Sequence, residues 1–105
     1  MAYIGKVSVT SAWAKLEDLI KAQVDGQSSF AFDTSKTYQL QADSELHAPF
    51  GVRICNASAE PSEDDAGEHL TDEQSGEYKP ESGVNLYVKT RGNTTGIKIS
   101  VSEIA

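Results

Sequence analysis

The sequence predicts a mainly β fold, a small antiparallel β-sandwich or jelly-roll-like barrel with one N-terminal amphipathic helix. Three observations predict it. From Ser29 onward, "SFAF", "TYQLQA", "FGVRICN", "NLYVKT" and "GIKISVSE" alternate apolar and polar residues or are rich in β-formers, the pattern of strands with one face buried. Turn residues break these runs at short intervals. Only "SAWAKLEDLIKAQVDG" carries a helical period. At 105 residues the chain has the length of one domain. It reads as 1–28, a strand or arm followed by the helix, and 29–105, the sandwich.

The elements follow in order. "KVSVT" alternates and reads as a short strand or an extended arm. In the helix, Trp13, Leu16, Leu19, Ile20 and Val24 recur every three or four residues, with Lys15, Glu17, Asp18 and Lys21 mainly opposite. Thr10 or Ser11 can cap the first turn, and Gly26 can end the last one with a positive φ. A helix of about 13 residues does not hold alone, so its apolar stripe needs a partner. Among the strands, Phe30, Phe32, Tyr38, Leu40, Phe50, Val52, Ile54, Leu86, Val88, Ile97, Ile99 and Val101 are the expected inward residues. "DTSK" reads as a tight turn between the first two runs and "RGNTTG" as the link between the last two. Pro80 in "KPESG" marks an edge or a turn.

The charge is uneven. Between Glu60 and Glu81 stand nine acids and one base, Lys79, while the net charge of the whole chain is −7. The remainder is close to neutral. An acidic chain with no basic stripe is a poor partner for nucleic acid and for an anionic membrane. No apolar run approaches the roughly 20 residues of a bilayer span, and the N-terminus lacks a signal-peptide core. The expectation is a soluble protein made in a cytosol. The acidic stretch reads as a solvated connection between strands, with "EHLT" and "GEYK" as an outer hairpin or edge strands. Acids on edges also resist aggregation.

Aligned as an EF-hand loop on Gly67, the stretch puts Ser62 first and Ala66 fifth, where oxygen ligands are needed, and no helices flank it. His47 and His69 have no zinc-site spacing and read as loop histidines. Cys55, the single cysteine, ends an apolar strand with no nearby base and reads as structural. No nucleophile elbow or phosphate loop is present. The chain reads as a non-enzyme with no catalytic residues, no metal and no cofactor. A mimic of nucleic acid would want acids spaced along an ordered surface, which the near-neutral remainder does not offer. The one tryptophan belongs to the helix stripe, which leaves few aromatics for a sugar platform.

The rhythm of "YQL" at 38–40, "VRICN" at 52–56 with Pro61 and Gly67 after it, and "YKPESGVNLYV" at 78–88 resembles small structural proteins of tailed bacteriophages. These are head decoration proteins, head fibres and related virion components. The likeness spans roughly Phe30 to Glu103 and carries no catalytic residues. It implies assembly: a protein of the virion, made in the host bacterial cytoplasm, that decorates or stabilises a capsid or serves as a head or tail accessory. Its partners would be other copies of itself, as a dimer or trimer, and another virion protein such as the major capsid protein. The interface residues expected are Trp13, Leu16, Leu19 and Ile20 on the helix, with Tyr3 and Ile4 on the N-terminal strand. The alternative is a carbohydrate-binding module of a host-recognition structure, with a glycan as ligand.

Overall fold

The structure is a computed structural model and describes residues 2–44, 52–62, 67–70, 75–90 and 97–104. The elements run β1 (Ala2–Ser8), β2 (Ala14–Lys15), α1 (Leu16–Gln23), β3 (Tyr38–Ser44), β4 (Val52–Ala57), β5 (Glu68–Leu70), β6 (Ser75–Tyr78), β7 (Asn85–Thr90) and β8 (Ile97–Glu103). Strands pair by a simple rule. β1 pairs with β8, β2 with β7, β3 with β6 and β4 with β5, all antiparallel. In every case the two ordinals sum to nine, so the chain is one long hairpin with its tip between β4 and β5. Successive rungs go to alternate sheets. Pairing of β3 with β8 and of β4 with β7 then joins the rungs within each sheet. The result is mainly β: sheet A in the order β1-β8-β3-β6 and sheet B in the order β2-β7-β4-β5.

One core serves both sheets and the helix. Leu40, Ile99 and Val101 come from sheet A, Val52 and Val88 from sheet B, and Leu16 and Ile20 from α1, each at most 1% exposed. Burial of each such side chain contributes about 1.5–3 kcal/mol. The inward residues expected at Tyr38, Leu40, Val52, Leu86, Val88, Ile97, Ile99 and Val101 are buried. Ile54, Phe30 and Phe32 pack against this core while partly exposed. Phe50, His47 and the "RGNTTG" link lie outside the described residues, as do 63–66 and 71–74 of the acidic stretch.

The helix is shorter than its apolar period suggests. It spans eight residues and starts at Leu16. Upstream, Ala14 and Lys15 pair with Val88 and Tyr87, and the Thr90 N–H donates to the Thr10 carbonyl at 2.8 Å. Backbone bonds to β7 therefore outcompete a further helical turn, a tertiary override of local propensity. Lys15 takes the N-cap position with an extended backbone and no side-chain cap bond, so neither Thr10 nor Ser11 caps the helix. The Thr10 hydroxyl instead lies 3.4 Å from the Ala12 N–H. Gly26 does adopt a positive φ of 78°, but beyond the helix. It sits in a turn that the Gln27 N–H closes onto the Val24 carbonyl at 3.2 Å.

One strand expectation changes and an open alternative is decided. "SFAF" is not a strand. Its Phe30 N–H closes a turn onto Gln27, and its rings satisfy the alternating pattern by packing: Phe32 meets Phe30, Tyr38 and Tyr78 edge to face with centroids 4.8–5.1 Å apart. Of the two alternatives for "EHLT" and "GEYK", the edge strands hold. β5 closes sheet B and β6 closes sheet A, so the acidic stretch crosses from one sheet's edge to the other's. His69 accordingly stands in β5, opposite Arg53, not in a loop. Gly67, before β5, has φ 79° and comes so near β4 that a Cβ would fall 2.1 Å from the Ile54 carbonyl oxygen.

Candidate functional site

The residues expected to form an interface separate into an inner and an outer set. Leu16 and Ile20 are fully buried in the chain's own core, and Leu19 packs partly exposed against it. Trp13 precedes the helix and lies in extended chain, half-buried, with the Lys89 ammonium 5.8 Å from its ring centroid. Tyr3, at 65%, is the exposed large hydrophobic residue among those described. It lies with half-buried Ile4 on β1, which is an outer strand of sheet A and thus part of the body rather than a free arm.

The outer margin of β1 has two special features. The register slips between Tyr3 and Gly5, a bulge that bends an edge strand and sharpens its twist. Farther along, the Gln23 side chain acts as a substitute strand. Its carbonyl accepts from the Ser8 N–H at 2.7 Å and its amide donates to the Ser8 carbonyl at 3.1 Å. Gly5 lets the helix come close enough for this, since a Cβ there would fall 2.6 Å from a Val24 methyl. The blocked end and the bulge manage an edge that would otherwise invite another strand.

A cleft opens where the end of β6 faces the start of β7. It has two lobes, of about 200 and 290 Å³, with Tyr78 and Leu86 lining both. The first lobe gathers residues distant in sequence: Lys15 and Glu17, Phe32 and Thr34, and the turn from Pro80 to Asn85. Gly83 in that turn has φ 80°, and the Val84 N–H closes it onto the Glu81 carbonyl at 3.2 Å. The second lobe is bounded by Ile54, Cys55 and Asn56 of β4, Gly67, Glu68 and Glu77. Glu17 is held in place from two sides. One oxygen accepts from the Phe32 N–H at 3.1 Å and the other lies 3.5 Å from Lys21. Burial holds the Tyr78 phenol above its ordinary value of 10.0, and the negative charges of Glu17 and Glu81 push the same way. Nothing in the local sequence signalled this cleft. The spacing of "EYKPES" gives no motif, and only the fold brings residue 17 beside residue 78.

Asp33, Lys36 and Glu103 are engaged within the fold. Ser35 donates both its N–H and its hydroxyl to the Asp33 carboxylate, at 2.8 and 2.7 Å, and these bonds lower the Asp33 pKa. Lys36 pairs with Glu103 of β8, which raises the lysine's pKa. Cys55 is a free, half-buried thiol on β4, opposite Tyr87. Among the described residues no group of three or more His, Cys, Asp or Glu side chains converges as metal ligands, and no helix is long and apolar enough to cross a membrane. Comparison of the chain with protein-family models, curated proteins and solved structures gives no match.

Proposed function

We propose that the chain is a non-enzymatic structural protein of a tailed-bacteriophage virion, a capsid decoration protein or a head or tail accessory component acting through protein–protein contacts. The observation that carries this reading is the strand pairing. Two four-stranded sheets wound from one long hairpin match the plan of a jelly roll, a sandwich architecture used in viral capsid and lectin domains. A fold does not name a function by itself, so the surface must supply the rest. Tyr3 on the outer strand of sheet A offers an aromatic anchor of the kind that dominates protein interfaces. Self-association as a dimer or trimer would add buried area to a domain too small to bury much alone. The partners in this reading are further copies and a virion protein such as the major capsid protein, and the location is the virion after synthesis in the bacterial cytoplasm.

Light scattering over a hundredfold dilution, together with co-sedimentation on phage capsids, tests the proposal. A stable dimer or trimer that also pellets with capsids is expected, with pelleting weakened by Tyr3→Ala. A monomer at every concentration that stays in the supernatant overturns it. The second reading is a glycan-binding module, favoured by the use of the same strand plan in lectins. Glycan-array binding lost in Tyr3→Ala would establish that reading instead.

A further inference from the structure

The cleft contains a polar group that the fold leaves unmatched. Tyr78 is 6% exposed, and its hydroxyl has no hydrogen-bond partner among the described residues. Buried polar groups are nearly always bonded, and one left open asks for an explanation. Tyr78 lines both lobes, so a molecule in either one can reach it.

The surroundings select the chemistry of that molecule. Glu17 and Glu81 line one lobe and Glu68 and Glu77 the other, against the single cation Lys15. Glu17 is already paired with Lys21, so Glu81, Glu68 and Glu77 against Lys15 leave the rim net negative. At about 200 and 290 Å³ the lobes are smaller than the roughly 300–1,000 Å³ of sites for drug-sized ligands. A thin ligand fits and a bulky one does not. A bare metal ion would need converging ligands, and no such group occurs among the described residues. A sugar ring would need an open aromatic face to stack on. Here Phe32 and Tyr78 meet edge to face at 82°, and Tyr78 is buried.

We propose that the cleft around Tyr78 binds an aliphatic primary ammonium. The Tyr78 oxygen accepts one N–H of the ammonium, and the Glu81 carboxylate balances its charge. The carbon stem lies against Val84 and Leu86. Charge-assisted bonds of this kind are about twice as strong as neutral ones. The direction of the Tyr78 shift agrees with the proposal, because the carboxylate field that disfavours a phenolate favours a cation. An alkylammonium can come from a free diamine, whose second charge would reach the Glu68 and Glu77 lobe, or from a lysine side chain of a partner protein. The inference does not depend on the virion reading and can fail separately from it.

Amide chemical shifts of the isotope-labelled protein, followed at neutral pH and low salt, provide the test. The probes are n-butylammonium, cadaverine and N-acetyl-lysine methylamide, with n-butanol and methyl glucoside as neutral controls. The three ammonium compounds are expected to move the signals of Tyr78, Ser82 and Asn85, and the neutral two are not. Cadaverine binding at least fivefold tighter than butylammonium assigns the site to free diamines, and a tighter lysine amide assigns it to protein side chains. Tyr78→Phe should weaken butylammonium roughly tenfold, as loss of a bond to a charged group does. It should leave the unfolding midpoint unchanged or raised, because it deletes a group with no partner. Glu81→Gln, at an exposed position, should weaken binding about threefold or more by removing one charge. The proposal is overturned if the ammonium probes move nothing, if butanol matches butylammonium, or if Tyr78→Phe binds like the wild type.

Discussion

β8 and β7 are both inner strands of their sheets, yet they are buried in different ways. In β8, Ile97, Ile99 and Val101 are buried while Lys98, Ser100 and Ser102 are half-exposed. In β7, Leu86, Tyr87, Val88, Lys89 and Thr90 are all buried. Sheet A thus has one dry and one wet face, the usual state of an antiparallel sheet. Sheet B is covered at β7 on its outer face as well. Directly opposed residues in an antiparallel pair share a face, so Tyr87 lies between Lys15 and Cys55, and Lys89 lies beside Arg53. The Trp13 ring near the Lys89 ammonium forms part of the cover. The extended chain at 10–15 therefore does two jobs: it pairs with the edge of β7 and it brings an aromatic ring over the outer side.

The largest expected effect comes from the inner face the two strands share. Ile99→Ala should cost about 2–5 kcal/mol, as large-to-small changes in a closed core do. Against a total of about 5–15 kcal/mol for a typical domain, that leaves the variant close to unfolding. Urea denaturation gives the value, and a loss under about 1 kcal/mol would mean that the two sheets do not share one core.

The outer faces separate the strands. Tyr87→Ala on β7 should cost about 3 kcal/mol, because it empties a covered position. Ser100→Ala on β8 should change stability by no more than about 0.5 kcal/mol, as exposed substitutions do. Equal losses in the two variants would erase the contrast between the sheets.

That contrast also explains what the sequence could disclose. A period of two marks which residues of Tyr38–Leu40 or Ile97–Val101 point inward, because sheet A obeys one-sided burial. The same period treats Tyr87 and Lys89 as solvent-facing. It errs at Lys89 because part of the cover there comes from Trp13, 76 residues away, and no local pattern encodes that approach. The helix starts later than its apolar period suggests for the same reason. Residues 13–15 read as the first helical turn locally, and only the free edge of β7 draws Ala14 and Lys15 into a strand. Rung pairing such as β1 with β8 depends on partners at opposite ends of the chain, so alternation alone could not show it. The cleft was hidden more completely, since Glu17, Phe32 and Tyr78 belong to three separate segments.

Smaller effects probe the edges. Gln23→Ala removes both bonds to the Ser8 backbone and should cost about 1 kcal/mol, since each is largely exposed and worth about 0.5–1.5 kcal/mol net. It also reopens the outer margin of β1. The variant should therefore self-associate more strongly than the wild type in sedimentation at equal concentration, and unchanged association would show that Gln23 does not guard that edge. The contact between Trp13 and Lys89 should be weaker still. At 5.8 Å it is close to the roughly 6 Å limit of cation–π attraction, and a double-mutant cycle should return a coupling of about 0.5–1 kcal/mol. A coupling of zero would mean that Trp13 covers β7 by packing alone.

The last prediction is silent at neutral pH and appears only in alkali. Tyr78 ends β6 of sheet A, and its pKa in the fold is raised above 10.0, first by burial and then by Glu17 and Glu81. In the unfolded chain the phenol ionises near its ordinary value. Between the two values the unfolded state has lost its proton while the folded state keeps it, so the folded state binds more protons and stability falls as pH rises. Below about pH 10 the group has no effect on the pH dependence of stability. Above that, the wild type should lose stability more steeply than Tyr78→Phe, whose ring keeps the packing but cannot ionise. Urea midpoints for both proteins at pH 8, 10 and 11 measure the difference. Parallel curves would show that the fold does not disfavour the phenolate.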